Sequence, residues 1–190
     1  MVRPTDARLL LVRHCESTGQ AADAPLTARG RAQAETLATW LSAWPVDRIV
    51  TSPYRRAVET IAPFATRTSI EPAVDARLVE RRLGPASDRD WRELVRHAFD
   101  HLDHRPPGGE SGRDALARGR AAITDLLGGP AQLPLIVSHG QLIALLLHAV
   151  DVTFGFDQWQ ALSNPDVYAL ESTPTGTTSY RRLWSPPARA

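Results

Sequence analysis

ARLLLVRHCEST, residues 7–18, opens on an apolar run and closes on an arginine, a histidine, a cysteine and a glutamate. Leu9 to Val12 show no polar alternation, the pattern of a strand buried on both faces, so Arg13 and His14 fall at its carboxyl end. PLIVSHG, residues 134–140, repeats the arrangement, with an apolar run delivering Ser138, His139 and Gly140. A third run, Asp47 to Val50, leads into Thr51, Ser52 and Pro53 and then a helical pattern of Ala57, Val58, Ile61 and Phe64. Further helices are predicted to begin near Thr27, near Asp88 and near Ser111, the first carrying Ala34, Leu37, Ala38 and Leu41 inward. Strands alternate with helices, so the expected fold class is α/β, a three-layer α/β/α sandwich on a mostly parallel sheet. Toward the end, DVYALES and SYRRLW alternate about the turn residues Thr173 to Gly176 and read as a hairpin at the sheet edge. The last residues, SPPARA, carry no periodicity and read as a frayed end.

The 190 residues suffice for one hydrophobic core, and without a linker or internal repeat the expectation is a single domain over 1–190. With 43% apolar and 23% charged residues the chain is of ordinary globular composition. Its 22 basic groups against 21 acidic ones lack the excess a nucleic-acid binder needs, so no nucleic-acid partner is expected. Every basic residue is arginine and none is lysine, which removes Schiff-base, P-loop and kinase-type lysine chemistry. Cys15 stands alone, excluding an intrachain disulfide and a cysteine metal cage. The apolar run at Leu9 is too short for a signal peptide core, and LIALLLHAV, residues 142–150, is too short to span a membrane. A soluble, cytoplasmic protein is expected.

Ligands of open α/β sheets bind beyond the carboxyl ends of the strands, which makes His14 and His139 candidates to face one another. Arg13, Glu16 and Ser17 follow one strand, and Ser52 and Arg56 another. Burying arginine beside histidine is unfavourable unless an anion lies between them, and a phosphoryl group is the anion that suits.

These residues also match a family. LLLVRHCEST resembles the Arg-His-Gly-Glu-Thr signature of the histidine phosphatase, or phosphoglycerate-mutase-like, superfamily. PLTARGRAQA resembles its Leu-Thr-x-x-Gly-x-x-Gln-Ala helix start, and TSPYRRAVET its Ser-x-x-x-Arg-Ala-x-x-Thr segment. LVERRLG, PPGGES and VSHGQLI resemble the proton-donor, Gly-Gly-Glu-Ser and second-histidine motifs. The resemblance implies a mixed sheet with one antiparallel edge strand, and a histidine, here His14, that is transiently phosphorylated. It puts the phosphate arginines on Arg13 and Arg56, the proton donor on Glu80 and the second histidine, expected to be protonated, on His139. Gln20, Gly140 and the backbone of Gln141 complete the implied phosphate site. No cofactor and no metal are implied. The expected function is a metal-independent phosphatase whose partners are a small-molecule phosphomonoester and inorganic phosphate.

The chain departs from the family pattern at several points. Cys15 replaces the motif glycine and reads as a small packing residue, with redox sensitivity the alternative. Gln20 stands where many members have Asn, and after Gly84 the usual Trp-x-Gly element gives way to PASDRDW. His97, His101 and His104 read as a solvated helix face, with a zinc site or an entrance lining as alternatives. His148 reads as a core histidine and Trp40, Trp44, Trp159 and Trp184 as packing, whereas Trp91 stands near the expected substrate lid. The rival functions are three. A phosphoglycerate mutase would carry a basic insertion that this short, lysine-free chain lacks. A phosphate-binding regulatory module would not need His14, Glu80 and His139 together. A protein phosphohistidine phosphatase of small size would tend to lack Gly-Gly-Glu-Ser.

Overall fold

In the computed structural model, which describes residues 7–85, 91–172 and 178–184, six strands form one sheet in the order β3-β2-β4-β1-β5-β6. The predicted helix start near Asp88, the turn Thr173 to Gly176 and the tail 185–190 lie outside the described residues. The run of Leu9 to Val12 becomes β1 (Ala7–Arg13), and PLIVS becomes β4 (Pro134–Ser138). The two pair in parallel at the centre of the sheet, with β2 (Arg48–Thr51) parallel on the far side of β4. A two-residue strand, β3 (Ala73–Val74), closes that edge and has too little pattern to be read from sequence.

Side-chain alternation decides which layer each strand residue enters. Leu10 and Val12 pack with Leu37, Ile61 and Phe64 from α1 (Ala28–Leu41) and α2 (Arg55–Thr68). Leu9 and Leu11 point the other way, into a cluster with Ile136, Ile143, Leu147 and Phe154. That second layer is built from α4 (Gly112–Leu127), α5 (Gly140–His148) and α6 (Phe156–Gln160), with α3 (Trp91–Asp100) outside them. Each buried leucine or isoleucine contributes about 1.5–3 kcal/mol, so the two clusters supply most of the cohesion between layers. α5 is buried from Gly140 to Leu147, which explains an apolar run without helical periodicity.

The predicted starts at Thr27 and Ser111 are helix caps: the Thr27 side chain accepts from the Gly30 amide, and Ser111 and Asp114 form a reciprocal capping box. The terminal segments pair as β5 (Asp166–Ser172) and β6 (Thr178–Arg182) at the sheet edge. Here the expectation needs correction. The strand antiparallel to β1 is β5, and it lies inside, with β6 taking the edge. β5 pairs with β1 on one side and β6 on the other, and its Val167 and Ala169 are fully buried in the layer of α1 and α2.

Candidate active site

Sheet register brings the site together. Arg13 pairs with Ser138, and Thr51 with Val137, so His14, His139 and Ser52 are the first residues past three adjacent strand ends. The His14 amide still bonds the Ser138 carbonyl (3.0 Å) and the Ser52 amide the Val137 carbonyl (3.0 Å). The two imidazole rings lie with centroids 5.2 Å apart.

His14 is held at both nitrogens. Nδ1 lies 2.7 Å from the Cys15 carbonyl oxygen, which only accepts, so the ring proton sits on Nδ1 and the lone pair on Nε2. Arg56 Nε–H donates to that lone pair at 3.2 Å. Burial above all, with the charges of Arg56 and Arg13, pulls the His14 pKa down to about 3. Arg56 is itself buried, and its Nη1 donates to the carbonyls of Gln20 (3.1 Å) and Ala21 (2.8 Å). Arg13 donates from Nη1 to the Leu162 carbonyl (3.0 Å), while its buried Nε has no partner. Among the described residues neither arginine forms an ion pair. Gly140 lets the Arg13 guanidinium approach, because a Cβ there would meet Arg13 Cζ at 3.2 Å.

His139 is fully buried, with Nε2 2.8 Å from Ser52 Oγ and Nδ1 unpartnered. The Tyr54 amide also donates to the Ser52 oxygen (3.3 Å), fixing the hydroxyl that meets His139 Nε2. Tyr54 packs edge-on against the His139 ring, centroids 5.0 Å apart. Burial, then the nearby His14 and arginine charges, hold His139 well below its ordinary pKa. The expectation of a protonated His139 is for a site holding an anion; with protein groups alone around it, burial and the neighbouring charges favour the neutral ring.

Glu80 sits against the start of α5. Its carboxylate accepts from the amides of Arg81 (2.9 Å), Gln141 (3.0 Å) and Leu142 (3.1 Å). This corrects the expectation for Gln141, whose amide serves Glu80 while its side-chain oxygen lies 3.4 Å from Arg81 Nη1. Gln20 is exposed at the cavity rim and meets Arg56 through its carbonyl. The other two motif glutamates are committed elsewhere. Glu16 accepts from the Thr27 hydroxyl (2.7 Å), and buried Glu110 pairs with Arg118 (2.5 Å). Arg118 also donates to the carbonyls of Arg77 (2.6 Å) and Val79 (2.7 Å), so this pair anchors the segment that carries Glu80. The Gly-Gly-Glu-Ser loop packs against that segment. Gly84 has φ +74°, and a Cβ on it would lie 2.0 Å from the Pro107 carbonyl oxygen, so glycine is required by both conformation and space.

A cavity of about 670 Å³ opens above these groups, lined among others by Arg13, Arg56, Glu80, Gly140 and Gln141. Sequence reasoning missed several of its parts. Arg81 and Arg82, inside the LVERRLG motif, line it, and Trp159, read as packing, lines it beside Trp91. Asn164 donates to the His14 carbonyl (2.6 Å) from a distant loop, a contact with no local signal.

Cys15 is buried and its pKa is pushed up to about 12 by desolvation, so it remains a thiol and packs. His97 lies in α3, with His101 and His104 just after it, their rings 4.3 and 4.6 Å from that of His97 on an exposed surface. Among the described residues no three His, Cys, Asp or Glu side chains are placed to hold a metal ion. His148 is half-buried, with Nδ1 3.0 Å from the Phe154 carbonyl oxygen. No helix among the described residues is long and apolar enough to cross a membrane.

Two histidines at adjacent strand ends, one with an unprotonated Nε2 facing Arg56, and two arginines outside any ion pair among the described residues, suit an enzyme of phosphoryl-group chemistry on an α/β sheet. Residues 9–183 match the histidine phosphatase superfamily (branch 1), and the chain belongs to that family. It is 33% identical over 184 residues to a glucosyl-3-phosphoglycerate phosphatase of Mycobacterium tuberculosis, covering 82% of this chain and 79% of the relative. It is 31% identical over 158 residues to a probable phosphoglycerate mutase, GpmB, of Yersinia enterocolitica, covering 74% and 73%. The solved structure of a mycobacterial glucosyl-3-phosphoglycerate phosphatase in complex with inorganic phosphate superposes with a TM-score of 0.73 at 28% identity, covering 94% of this chain and 96% of that one.

Proposed function

We propose that the chain hydrolyses small-molecule phosphomonoesters through a phosphohistidine on His14, without a metal. The carrying observation is His14 Nε2, kept unprotonated by the Nδ1 bond to Cys15 and lying 3.2 Å from Arg56 Nε. A phosphoryl group seated there meets the guanidinium groups of Arg13 and Arg56, the Nδ1–H of His139 and the Gly140 amide at the start of α5. Gln20 closes the rim. The His14 lone pair forms the N–P bond as the P–O bond to the alcohol breaks, and protonated Glu80 gives its proton to the leaving oxygen. Water then attacks phosphorus, Glu80 takes its proton, and the P–N bond electrons return to Nε2. Glu80 accepts three amide hydrogen bonds, so one of these loosens when its oxygen carries the proton. Inorganic phosphate is the second product.

The test is turnover of a phosphomonoester panel with a chelator present, the panel including glucosyl-3-phosphoglycerate and 3-phosphoglycerate, alongside a mutase assay primed with 2,3-bisphosphoglycerate. Phosphate release with an acid-labile phosphoryl group on His14 is expected. Phosphoryl exchange without release would make the chain a mutase, and activity restored only by zinc would overturn the metal-free mechanism.

A further inference from the structure

The chain leaves β1 through two peptide groups on which the His14 ring depends, and every hydrogen-bonding group of both is held by a side chain. In the His14–Cys15 peptide the carbonyl oxygen accepts from Asn164 Nδ2 (2.6 Å) and the N–H donates to Thr60 Oγ1 (2.9 Å). In the Cys15–Glu16 peptide the carbonyl oxygen meets His14 Nδ1 (2.7 Å) and the N–H donates to Gln33 Oε1 (2.9 Å). Three of these partners come from separate parts of the fold: Gln33 from α1, Thr60 from α2 and Asn164 from the loop before β5.

Helix geometry alone accounts for only part of this. A threonine inside a helix commonly returns its hydroxyl to the carbonyl four residues back, and Thr60 does so, donating to Arg56 at 2.7 Å. Its oxygen also takes the Cys15 amide. One buried hydroxyl thus joins the residue whose Nε faces His14 Nε2 to the residue whose carbonyl faces His14 Nδ1. The loop is also seated flush on α1. The Glu16 carbonyl accepts from the Thr27 amide (3.0 Å), and a Cβ at Gly30 would lie 1.9 Å from that carbonyl oxygen. Cys15 is fully buried and His14 nearly so, which puts these groups beyond bulk solvent and makes them need partners from the protein once β1 ends. Taking one partner away leaves a buried amide to find another, and the shift that does so carries the Cys15 carbonyl away from His14 Nδ1.

We propose that Gln33, Thr60 and Asn164 are positioning residues for the nucleophile, locking the two peptide groups after His14 so that the ring keeps its proton on Nδ1 and aims Nε2 beside Arg56. This rests on the phosphohistidine reading of His14, and the test separates the two. All three act through the backbone behind the ring, so the expected mark is a fall in kcat with KM nearly held. Thr60→Val keeps the shape of the side chain and removes both hydrogen bonds. Its kcat on a phosphomonoester should fall about 10- to 100-fold, with KM changed by less than about twofold. The ¹⁵N shifts of His14 Nδ1 and Nε2, well separated in the wild-type chain, should draw together as the ring samples both tautomers. Thr60→Ser, which restores the hydroxyl, should recover most of the kcat and the wild-type shifts. Gln33 is half-buried on α1, so Gln33→Met removes one of the same bonds without opening the core and carries the test if Thr60→Val does not fold. Unmoved shifts or an unaltered kcat in the folded variant, or a loss that Thr60→Ser leaves unrepaired, would overturn the proposal. If the wild-type chain turns over no phosphomonoester while the shifts still move in the variants, the lock on His14 stands and the phosphatase reading falls.

Discussion

Arg56 Nε lies 3.2 Å from His14 Nε2, while Nδ1 of the same ring lies 2.7 Å from the Cys15 carbonyl oxygen. One contact sets the tautomer and the other places a positive charge beside the nucleophilic nitrogen. Arg56→Lys keeps a cation but loses the Nε donor and the second arm that reaches Gln20 and Ala21. Its kcat/KM should fall about 100- to 1,000-fold, measured on a phosphomonoester, with phosphohistidine formation slowed in the single-turnover burst. A loss below tenfold would show that the Arg56 geometry is not used in the transition state.

Ser52 and His139 form a second such pair at 2.8 Å. Ser52→Ala removes the hydroxyl that fixes His139 Nε2, so the ring should populate both tautomers. ¹⁵N shifts of His139 report this directly, and kcat should drop by about tenfold or more. Unchanged ¹⁵N shifts would mean the tautomer is set elsewhere.

His14 titrates near 3 in the folded chain against an ordinary 6.5, and His139 is shifted the same way. Between those values the unfolded chain binds more protons, so stability rises with pH and is lost as pH falls from about 6.5 toward 3. Each histidine contributes a slope of at most about 1.4 kcal/mol per pH unit. Urea unfolding followed between about pH 6 and pH 4 should show His14→Asn with a shallower loss than wild type. Equal slopes would mean that His14 is not held neutral by the fold.

Glu80→Gln separates proton transfer from support of α5. The amide cannot cycle a proton and offers one acceptor oxygen where Glu80 satisfies three amides. In the burst, phosphorylation by an alkyl phosphate should slow by about 100-fold or more, whereas nitrophenyl phosphate, with its good leaving group, should be much less affected. Equal losses would assign Glu80 to structure alone.

Gly140→Ala tests the approach of Arg13, whose Cζ would lie 3.2 Å from the added Cβ. Inorganic phosphate should bind about tenfold more weakly by calorimetry, the helix itself being favoured by alanine. Unaltered affinity would place the anion away from Arg13.

Much of the site could be read from the chain because its parts follow strands. Apolar runs ending in Arg13-His14 and Ser138-His139 state both the strand and the residue it delivers, and Thr27 and Ser111 state their helix starts. The edge position assigned to the antiparallel strand was misjudged because β5 and β6 have similar alternation, and only pairing tells which lies inside. Trp159 was read as packing because a tryptophan on a short amphipathic helix looks alike whether its neighbours are core or cavity.

The sequence by itself determined the layered α/β class, the strand ends at which His14 and His139 emerge, and the arginine-only supply of positive charge. Those are local matters of apolar pattern, capping and composition. The tertiary structure alone decided the burial of His139 against Ser52, the duty of the Gln141 amide toward Glu80, the burial of Arg81 without a carboxylate among the described residues and the meeting of Trp91 with Trp159. Each depends on groups far apart in the chain being brought within a few ångströms in a medium where water no longer screens or solvates them, and neither distance nor desolvation is written in local order.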